Sequence, residues 1–293
     1  MRPVSRQEWH GQGGEPMERA DILVLGASGK VGRLIRAHWR ADGARTLWQG
    51  RRIGAAPGWV DWTPGRPLPP ARVVVLLSGV TAGDAGALAE NRRIGLEVAQ
   101  AAGMAGVACI LLASTMAVYG RTPAGGAVEA SAPDRPNGYG RSKLAMEQAM
   151  AAALAGGGTA LCALRIGNVA GADLLGDRVA QGLPITLDRF PDGSGPVRSY
   201  AGPGFLARVM VGLAARVIAG GTLPAVLNVA GQAPVGMAEV LQAAGLPFGW
   251  KPAGPGALPC VAMDCTRLAA LVPPDPQAET AAGVAAEWRG GRA

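Results

Sequence analysis

Short apolar runs alternate with longer segments of helical periodicity from residue 21 onward. The short runs predict buried strands, and the segments of ten or more residues between them predict helices. The predicted strands are Ile22–Leu25, Arg45–Trp48, Val73–Leu77, Val107–Leu112 and Leu161–Ile166, and the predicted helices are Val31–Ala41, Ala85–Ala102 and Tyr139–Leu154. Continuously apolar strands joined by helices are typical of parallel sheets that are covered on both faces. The pattern therefore predicts an α/β fold with a doubly wound parallel sheet of the Rossmann type.

The regularity weakens after Gly171, where proline, glycine and isolated charges become frequent. A helical pattern at Phe205–Ala219 and a strand pattern at Val226–Ala230 follow, and we expect a smaller C-terminal substrate lobe here. The predicted organisation is a flexible tail at 1–20, an NAD(P)-binding Rossmann domain at 21–171 that residues 198–231 rejoin, and a mainly substrate-binding lobe at 172–293. Met17 is an alternative start of the natural chain.

Composition excludes several classes of protein. The 293 residues are 49% hydrophobic and 17% charged, which is typical of a globular protein with a large core. The apolar runs are shorter than the roughly 20 residues of a membrane span, and the arginines behind the net charge of +7 are scattered. We therefore expect neither a membrane nor a nucleic acid as partner. The four cysteines lack a Cys-x-x-Cys pair, so we expect no metal site, no disulfide framework and a cytoplasmic location.

A glycine loop follows the first predicted strand. Residues 26–32 read Gly-Ala-Ser-Gly-Lys-Val-Gly, which places glycines at a spacing of three between a strand and a helix. Such glycines permit a tight turn, let backbone N–H groups approach a pyrophosphate and let the helix pack closely on the strand. The loop therefore predicts a dinucleotide site at the start of the first helix.

The end of the second strand bears on which dinucleotide is bound. Gly50 stands where NAD-preferring enzymes place an acidic residue on the adenosine ribose, and Arg51 and Arg52 follow it. Guanidinium groups bind a 2′-phosphate and no carboxylate repels it, so we expect NADP in preference to NAD. Asp61, after the presumed third strand, is a candidate for the adenine amine.

A tyrosine and a lysine four residues apart open a predicted helix. Tyr139 and Lys143 share one helical face. A tyrosine hydroxyl is a poor base at neutral pH, and a neighbouring ammonium group lowers its pKa. Upstream, Ser114 and Thr115 close the fifth strand at the edge of the sheet where ligands bind. We expect Tyr139 to move a proton and Thr115, rather than Ser114, to hold the reacting oxygen.

These motifs together resemble the extended short-chain dehydrogenase/reductase family, in its NAD-dependent epimerase/dehydratase group, over residues 21–231. The resemblance rests on the glycine loop, Asn91, Ser114-Thr115-x-x-Val118-Tyr119-Gly120, Tyr139-x-x-x-Lys143 and Arg165-Ile166-Gly167-Asn168-Val169. It implies Thr115, Tyr139 and Lys143 as a catalytic triad, a small-molecule substrate such as a nucleotide sugar, and a homodimer. The predicted cofactor contacts are Gly26, Ser28, Gly29, Lys30, Val31, Gly32, Arg51, Arg52, Asp61, Ser78, Asn91, Tyr139 and Lys143. The predicted substrate contacts are Ser114, Asn168 and Arg198, of which Arg198 is expected to hold a diphosphate.

Departures from the family pattern narrow the choice of reaction type. Met116-Ala117 replace the Asp-Glu that follows the catalytic threonine in 4,6-dehydratases, so a dehydratase is disfavoured. Ala170 and Ala172 replace the tyrosine and proline usual after Asn-Val, and Gly204 replaces the aspartate that opens the later helix. Three hypotheses remain: a hydride-transferring epimerase or reductase of nucleotide sugars, a reductase of small carbonyl compounds, and a non-catalytic NADP(H) sensor.

Overall fold

The computed structural model describes residue 9 and residues 17–50, 57–276 and 279–290. Its strands are β1 (Ala20–Leu25), β2 (Thr46–Gln49), β3 (Trp59–Val60), β4 (Ala71–Leu76), β5 (Cys109–Thr115), β6 (Ala160–Ile166), β7 (Asn168–Val169), β8 (Thr186–Arg189), β9 (Val197–Arg198), β10 (Tyr200–Ala201), β11 (Val226–Val229), β12 (Val235–Gly236), β13 (Gly249–Pro252) and β14 (Cys260–Val261). Its helices are α1 (Lys30–His38), α2 (Ala85–Ala105), α3 (Gly138–Leu154), α4 (Leu174–Ala180), α5 (Pro203–Ile218), α6 (Met237–Ala243), α7 (Thr266–Ala269) and α8 (Ala281–Gly290), and Met116–Val118 form a 3₁₀ turn.

A seven-stranded sheet organises the described part of the chain. Its order is β11-β6-β5-β4-β1-β2-β3, and every neighbouring pair is parallel. The predicted doubly wound parallel sheet is confirmed, including a short third strand before Asp61. The order reverses between β1 and β4, and in such sheets ligands bind at the carboxyl ends of the strands near this reversal.

Helices cover both faces of the sheet because alternate residues of its central strands point to opposite sides. One face packs Ile22, Val24, Val73, Val75 and Leu111 in a cluster that also contains Ile35 of α1 and Met210 of α5. The other face packs Leu23, Leu25, Val74, Leu76, Ile110 and Leu112 with Val98 of α2 and with Met146 and Met150 of α3. Burial on both faces explains why these strands read as unbroken apolar runs.

A smaller C-terminal lobe follows β6 and has its own apolar cluster. Short ladders join β8 to β13, β7 to β10, and β9 to β12 and β14. The cluster consists of Ala170, Leu175, Ile185, Leu187, Tyr200, Val240, Leu241, Val284 and Trp288. Between segments of the lobe, the chain adds one further strand to the main sheet, because β11 pairs with β6. In the part of the chain that the structure describes, no helix is both long and apolar enough to cross a membrane.

Candidate active site

The carboxyl edge of the main sheet gathers the predicted site. Gly26 follows β1, Gly50 follows β2, Ser78 lies shortly after β4, Thr115 ends β5 and Asn168 lies just beyond β6. Since all these strands are parallel, their ends meet at one edge of the sheet. Segments that are distant in the sequence therefore contribute to a single cleft.

The glycine loop has the close contacts that its sequence predicts. Gly26 has a φ of +83°, and a Cβ there would lie 2.6 Å from the Ser78 hydroxyl oxygen. A Cβ on Gly32 would lie 2.5 Å from the carbonyl oxygen of Ala27, so α1 packs directly on the turn. Gly29 is the N-cap residue of α1 and has no side chain to cover the first N–H groups of the helix. The loop therefore offers the cradle and the helix N-terminus that a pyrophosphate needs.

Gln49 fixes this turn, although sequence reasoning did not select it. Its side-chain oxygen accepts a hydrogen bond from the Gly26 N–H at 2.9 Å, and its amide nitrogen donates to the Trp62 carbonyl at 2.8 Å. The side chain is 8% exposed. The sequence signal for Gln49 was a polar residue at the end of a strand that is otherwise buried. A buried polar side chain requires hydrogen-bond partners, so it points to a structural contact.

The adenosine end of the cleft is shaped by Gly50. A Cβ at this position would lie 2.9 Å from both the Ser28 Cβ and the Trp59 ring, so an acidic side chain does not fit without rearrangement. The guanidinium group of Arg36 lies 5.1 Å from the centre of that ring. Asp61 is exposed at the end of β3. Arg51 and Arg52, which carry the NADP prediction, lie outside the described residues.

Lys30 connects the glycine loop to the C-terminal lobe. Its ammonium group lies 2.5 Å from the Asp177 carboxylate of α4. Both side chains are partly exposed. The cofactor contact predicted for Lys30 remains a prediction, while its neighbour Val31 is half-buried in the first turn of α1.

Thr115 and Tyr139 come together because α3 starts against the end of β5. Asn137 caps the helix by accepting a hydrogen bond from the Gly140 N–H at 2.8 Å. A Cβ on Gly140 would collide with the Ala117 carbonyl, so only glycine permits this close approach. Burial raises the pKa of Tyr139 above its usual value, and a hydrogen-bond contact with Thr115 acts in the opposite direction. Tyr139 is therefore protonated at neutral pH unless further positive charge approaches it.

Lys143 supplies such a charge and lies beneath the loop after β4. Its side chain is 3% exposed, and a Cβ on Gly79 would lie 3.6 Å from its nitrogen. Burial lowers the pKa of Lys143 to about 8, and the charge of Glu147 opposes this change. Within the part of the chain that the structure describes, the ammonium group of Lys143 donates a hydrogen bond to the Met146 sulfur at 3.4 Å. Sulfur is a weak acceptor, so the nitrogen retains donors for a ligand hydroxyl.

Two predicted ligand contacts have their polar groups occupied by protein. Asn91 is fully buried; its side chain accepts from the Val80 N–H and donates to the Val80 carbonyl and the Ser142 hydroxyl. Ser114 is 5% exposed and donates to Glu147 of α3. Ser114 is directed at Glu147 in the middle of α3, whereas Thr115 contacts Tyr139 at the start of that helix. Both arrangements favour a supporting role over direct ligand contact.

Asn168 and Arg198 lie where the lobe meets the sheet edge. Asn168 pairs with Tyr200 across the β7–β10 ladder and is partly exposed. Arg198 donates to the Val197 carbonyl at 2.7 Å and to the Leu258 carbonyl at 3.0 Å. Burial lowers the pKa of Arg198, and no carboxylate within the described ranges forms an ion pair with it. Carbonyl groups contact the guanidinium group and Asp188 acts on it from beyond ion-pair distance, an arrangement that suits an anionic ligand.

Comparison with known proteins finds a family similar to the segment that contains most of these site residues. Among curated proteins, no sequence matches the chain. Residues 68–202 match the model of the NAD dependent epimerase/dehydratase family. This segment is similar to that family. The epimerase/dehydratase segment contains Thr115, Tyr139, Lys143, Asn168 and Arg198, and the glycine loop precedes it. The match agrees with the predicted resemblance to the NAD-dependent epimerase/dehydratase group over these residues.

Solved structures share the fold over nearly the whole chain. MoeE5 in complex with UDP-glucuronic acid and NAD is 21% identical with a TM-score of 0.71, covering 93% of this chain and 99% of its own. UDP-glucose 4-epimerase from Brucella ovis in complex with NAD is 18% identical with a TM-score of 0.74, covering 90% and 95%. TunA, an NAD-dependent NDP-hexosamine 5,6-dehydratase, is 17% identical with a TM-score of 0.70, covering 92% and 97%. The lobe of this chain therefore follows the same fold as theirs.

The described residues offer no alternative centre for metal chemistry. No group of three or more His, Cys, Asp or Glu side chains among them is arranged to hold a metal ion. Three cysteines are buried and Cys260 is exposed.

Proposed function

We propose that the protein transfers a hydride between a nicotinamide dinucleotide and a carbinol or ketone carbon of a nucleotide sugar. The observation that carries this proposal is the meeting of Thr115, Tyr139 and Lys143 at the sheet edge that also presents the glycine loop. Such a set positions a proton carrier and a hydrogen-bond donor around one oxygen atom. A non-catalytic sensor of the coenzyme has no use for this arrangement.

The residues fit the coenzyme at both of its ends. The glycine loop and the start of α1 would bind the pyrophosphate, and the buried Lys143 would bind hydroxyls of the nicotinamide ribose. The nicotinamide supplies a carbon that accepts and returns the hydride. Lys143 also places its positive charge near Tyr139, which favours the phenolate form of that side chain.

Proton transfer belongs to Tyr139 in this scheme. Its phenolate form takes a proton from the substrate hydroxyl on oxidation, and the resulting hydroxyl returns that proton to the carbonyl oxygen on reduction. Thr115 holds the same oxygen by a hydrogen bond, so the reacting carbon keeps its position in both directions. An epimerase performs both steps with one bound coenzyme, whereas a reductase exchanges the coenzyme after each step.

Two observations support a nucleotide sugar over a small carbonyl compound. Arg198 has no carboxylate partner in the described chain and is available to a diphosphate. MoeE5, which shares the fold, forms complexes with UDP-glucuronic acid and with UDP-glucose. The small-carbonyl alternative predicts that Arg198 has no part in substrate binding.

The proposed coenzyme is NADP rather than NAD. The support is the absence of a carboxylate at Gly50, the crowding there by Trp59 and the two arginines that follow in the sequence. The fold neighbours named above hold NAD, so this preference would distinguish the chain from them. A fluorescence titration of coenzyme-stripped protein decides the matter: tighter binding of NADPH supports the preference, and equal or tighter binding of NADH refutes it.

The test of the function is a substrate panel with product analysis. Purified protein is incubated with UDP-hexoses, UDP-hexuronic acids and small ketones, and epimers and coenzyme absorbance at 340 nm are followed. We expect turnover of a UDP-sugar, and a rise in KM of at least about tenfold in Arg198→Ala. Turnover of small ketones with unchanged KM in Arg198→Ala would instead establish the alternative.

Two expectations about the whole molecule accompany this proposal. We propose a cytoplasmic homodimer that associates through α2 and α3, where Met104 of α2 is 73% exposed. Sedimentation of the purified protein tests the dimer, and Met104→Asp is expected to weaken it.

A further inference from the structure

Three residues at intervals of four form one stripe on α3. Tyr139, Lys143 and Glu147 face the sheet, because residues four apart lie on the same side of a helix. Lys143 is 3% exposed and Glu147 is 6% exposed. A buried carboxylate one turn beyond a buried ammonium group affects its charge state, since both lie in a region of low dielectric.

The Glu147 carboxylate is held from the neighbouring strands. Arg165 donates from Nη2 to Oε2 at 2.8 Å and from Nε to both oxygens at 3.3 Å. Ser114 donates its hydroxyl to Oε1. Ser114 and Arg165 are direct partners in the β5–β6 register, so both reach the same point above the sheet. The carboxylate therefore has a fixed position and orientation.

Arg165 is itself fixed on its far side. Its guanidinium group lies 4.8 Å from the centre of the Tyr119 ring, and Nη1 donates to the Glu129 carbonyl at 3.2 Å. The guanidinium is therefore oriented by an aromatic ring and a backbone carbonyl as well as by Glu147. The distance between the positive charge of Arg165 and Lys143 is thus set by the fold.

The charges around Lys143 can be assigned to the elements that pack on it. Helix α3 contributes Tyr139 and Glu147, and β6 contributes Arg165. The groups from α2 and β5 are the neutral side chains Asn91, Ser114 and Thr115. No carboxylate of the described chain lies within ion-pair distance of Lys143, so Glu147 acts on it through space. Burial disfavours the ammonium form and Glu147 favours it. A cation paired with the carboxylate, as Arg165 is, would weaken the effect of Glu147.

We propose that Glu147 is a positioning residue that keeps Lys143 in its ammonium form, and that Arg165 limits this effect by neutralising part of the carboxylate charge. The inference rests on the proposed function for the importance of that ammonium group in the reaction. The electrostatic relationship itself does not depend on the substrate. Its signature is a pair of opposite changes when the two charges are removed one at a time.

The experiment is a lysine titration by NMR on coenzyme-free protein. The chain has three lysines, at positions 30, 143 and 251, so selective ¹³Cε labelling gives three resonances. Lys30 and Lys251 are exposed and serve as internal references. We expect Glu147→Gln to lower the titration midpoint of Lys143 by about one pH unit or more, a tenfold fall in the ratio of ammonium to amine. We expect Arg165→Gln to raise the midpoint.

The matched control is Glu90→Gln, which removes one negative charge from the exposed face of α2 and should leave the Lys143 midpoint unchanged. The proposal is overturned if the Lys143 midpoint moves in the same direction in both variants, or if it moves in neither variant. Local loosening of the structure would shift the midpoint in the same direction in both variants, so it cannot explain opposite shifts. If Glu147→Gln does not fold, the upward shift in Arg165→Gln decides alone, and a downward or absent shift there overturns the proposal.

A second readout separates this proposal from the proposed function. Because a midpoint that falls from about 8 to about 7 leaves fewer ammonium groups, the turnover of Glu147→Gln should fall about twofold at pH 7 and about fivefold at pH 8, with KM for the substrate changed far less. If the NMR midpoints shift as expected but turnover is unchanged, the role of Lys143 in the proposed reaction is contradicted. The electrostatic relationship between Glu147 and Lys143 would still stand. Absent NMR shifts would contradict the relationship whatever the turnover.

Discussion

The carboxylate of Glu287 on α8 accepts a hydrogen bond from the backbone N–H of Phe205 at 3.0 Å, at the start of α5. The N-cap residue of α5 is Gly202, which has no side chain to provide this cap. Glu287 also lies 3.5 Å from Arg208 in the next turn. A residue 82 positions later in the chain therefore caps α5.

Glu287→Ala should destabilise the protein by about 1–2 kcal/mol, because the first turn of α5 loses a charged acceptor. Urea unfolding measures the change. The exposed Glu90→Ala is the control and is expected to cost less than about 1 kcal/mol. An equal loss in the two variants would contradict a capping role.

Gly204→Asp tests the same relationship in the opposite direction. A Cβ on Gly204 would lie 2.7 Å from a Glu287 oxygen, so an aspartate there crowds and repels the existing carboxylate. We expect it to destabilise the natural protein but to restore stability in Glu287→Ala, where the aspartate can replace the cap. Urea unfolding of the four proteins in this cycle measures the coupling, and additive effects would refute the shared site.

The sequence was sufficient to predict the main sheet because its strands are buried on both faces. That burial makes Val73–Leu77 and Leu161–Ile166 apolar without interruption, and the structure has β4 and β6 at these places. The C-terminal ladders carry no such pattern. Every residue of β13, from Gly249 to Pro252, is exposed, so the sequence there has no alternation of apolar and polar residues that would predict a strand.

The site was predicted where neighbours in sequence are neighbours in space. Tyr139 and Lys143 share a helical face, and their spacing shows it. The direction of Ser114 depends on the position of β5 in the sheet, and its partner Glu147 lies 33 residues later. Glu147 itself was within reach of the same periodic argument, since it continues the stripe by four residues. Contacts such as that of Glu287 with α5 depend on the packing of the whole lobe.

Asp173 provides a test of pH-dependent stability. Its carboxylate accepts from the Gly176 N–H at 3.0 Å as the N-cap of α4, and burial raises its pKa to about 6, against the effect of this hydrogen bond. A raised pKa means that the folded state holds the proton more tightly than the unfolded state. The stabilising contribution of the protonated group is therefore complete below about pH 4 and is lost as the pH rises through 6.

Asp173→Asn keeps an acceptor for the helix cap and removes the titration. We expect its stability relative to the natural protein to rise by about 1–2 kcal/mol between pH 4 and pH 7.5, measured by urea unfolding at both values. The partly exposed side chain keeps the effect below the full value of the shift. A difference between the two proteins that does not change with pH would show that Asp173 is ionised throughout this range.

Gly32 tests the close packing of α1 on the coenzyme turn. Gly32→Ala places a Cβ against the Ala27 backbone, so the helix must move away from the loop. We expect at least a tenfold loss of coenzyme affinity and a fall in stability of about 1–3 kcal/mol. Gly103→Ala is the matched control, because a Cβ there meets nothing within 4 Å in the interior of α2, and should stabilise slightly. Unchanged coenzyme affinity in Gly32→Ala would mean that the dinucleotide does not bind at this turn.

The central claim is that Tyr139 carries the proton in a hydride transfer, and a comparison of two tyrosine variants tests it most directly. Single-turnover absorbance at 340 nm is followed with Tyr139→Phe and with Tyr200→Phe, which makes the same change in the lobe, where the Tyr200 hydroxyl contacts Asn168 and Asp173. The account predicts that Tyr139→Phe slows hydride transfer by at least about 10³-fold while coenzyme affinity is unchanged, and that Tyr200→Phe stays within about tenfold of the natural protein. Hydride transfer at a comparable rate in Tyr139→Phe would contradict the account.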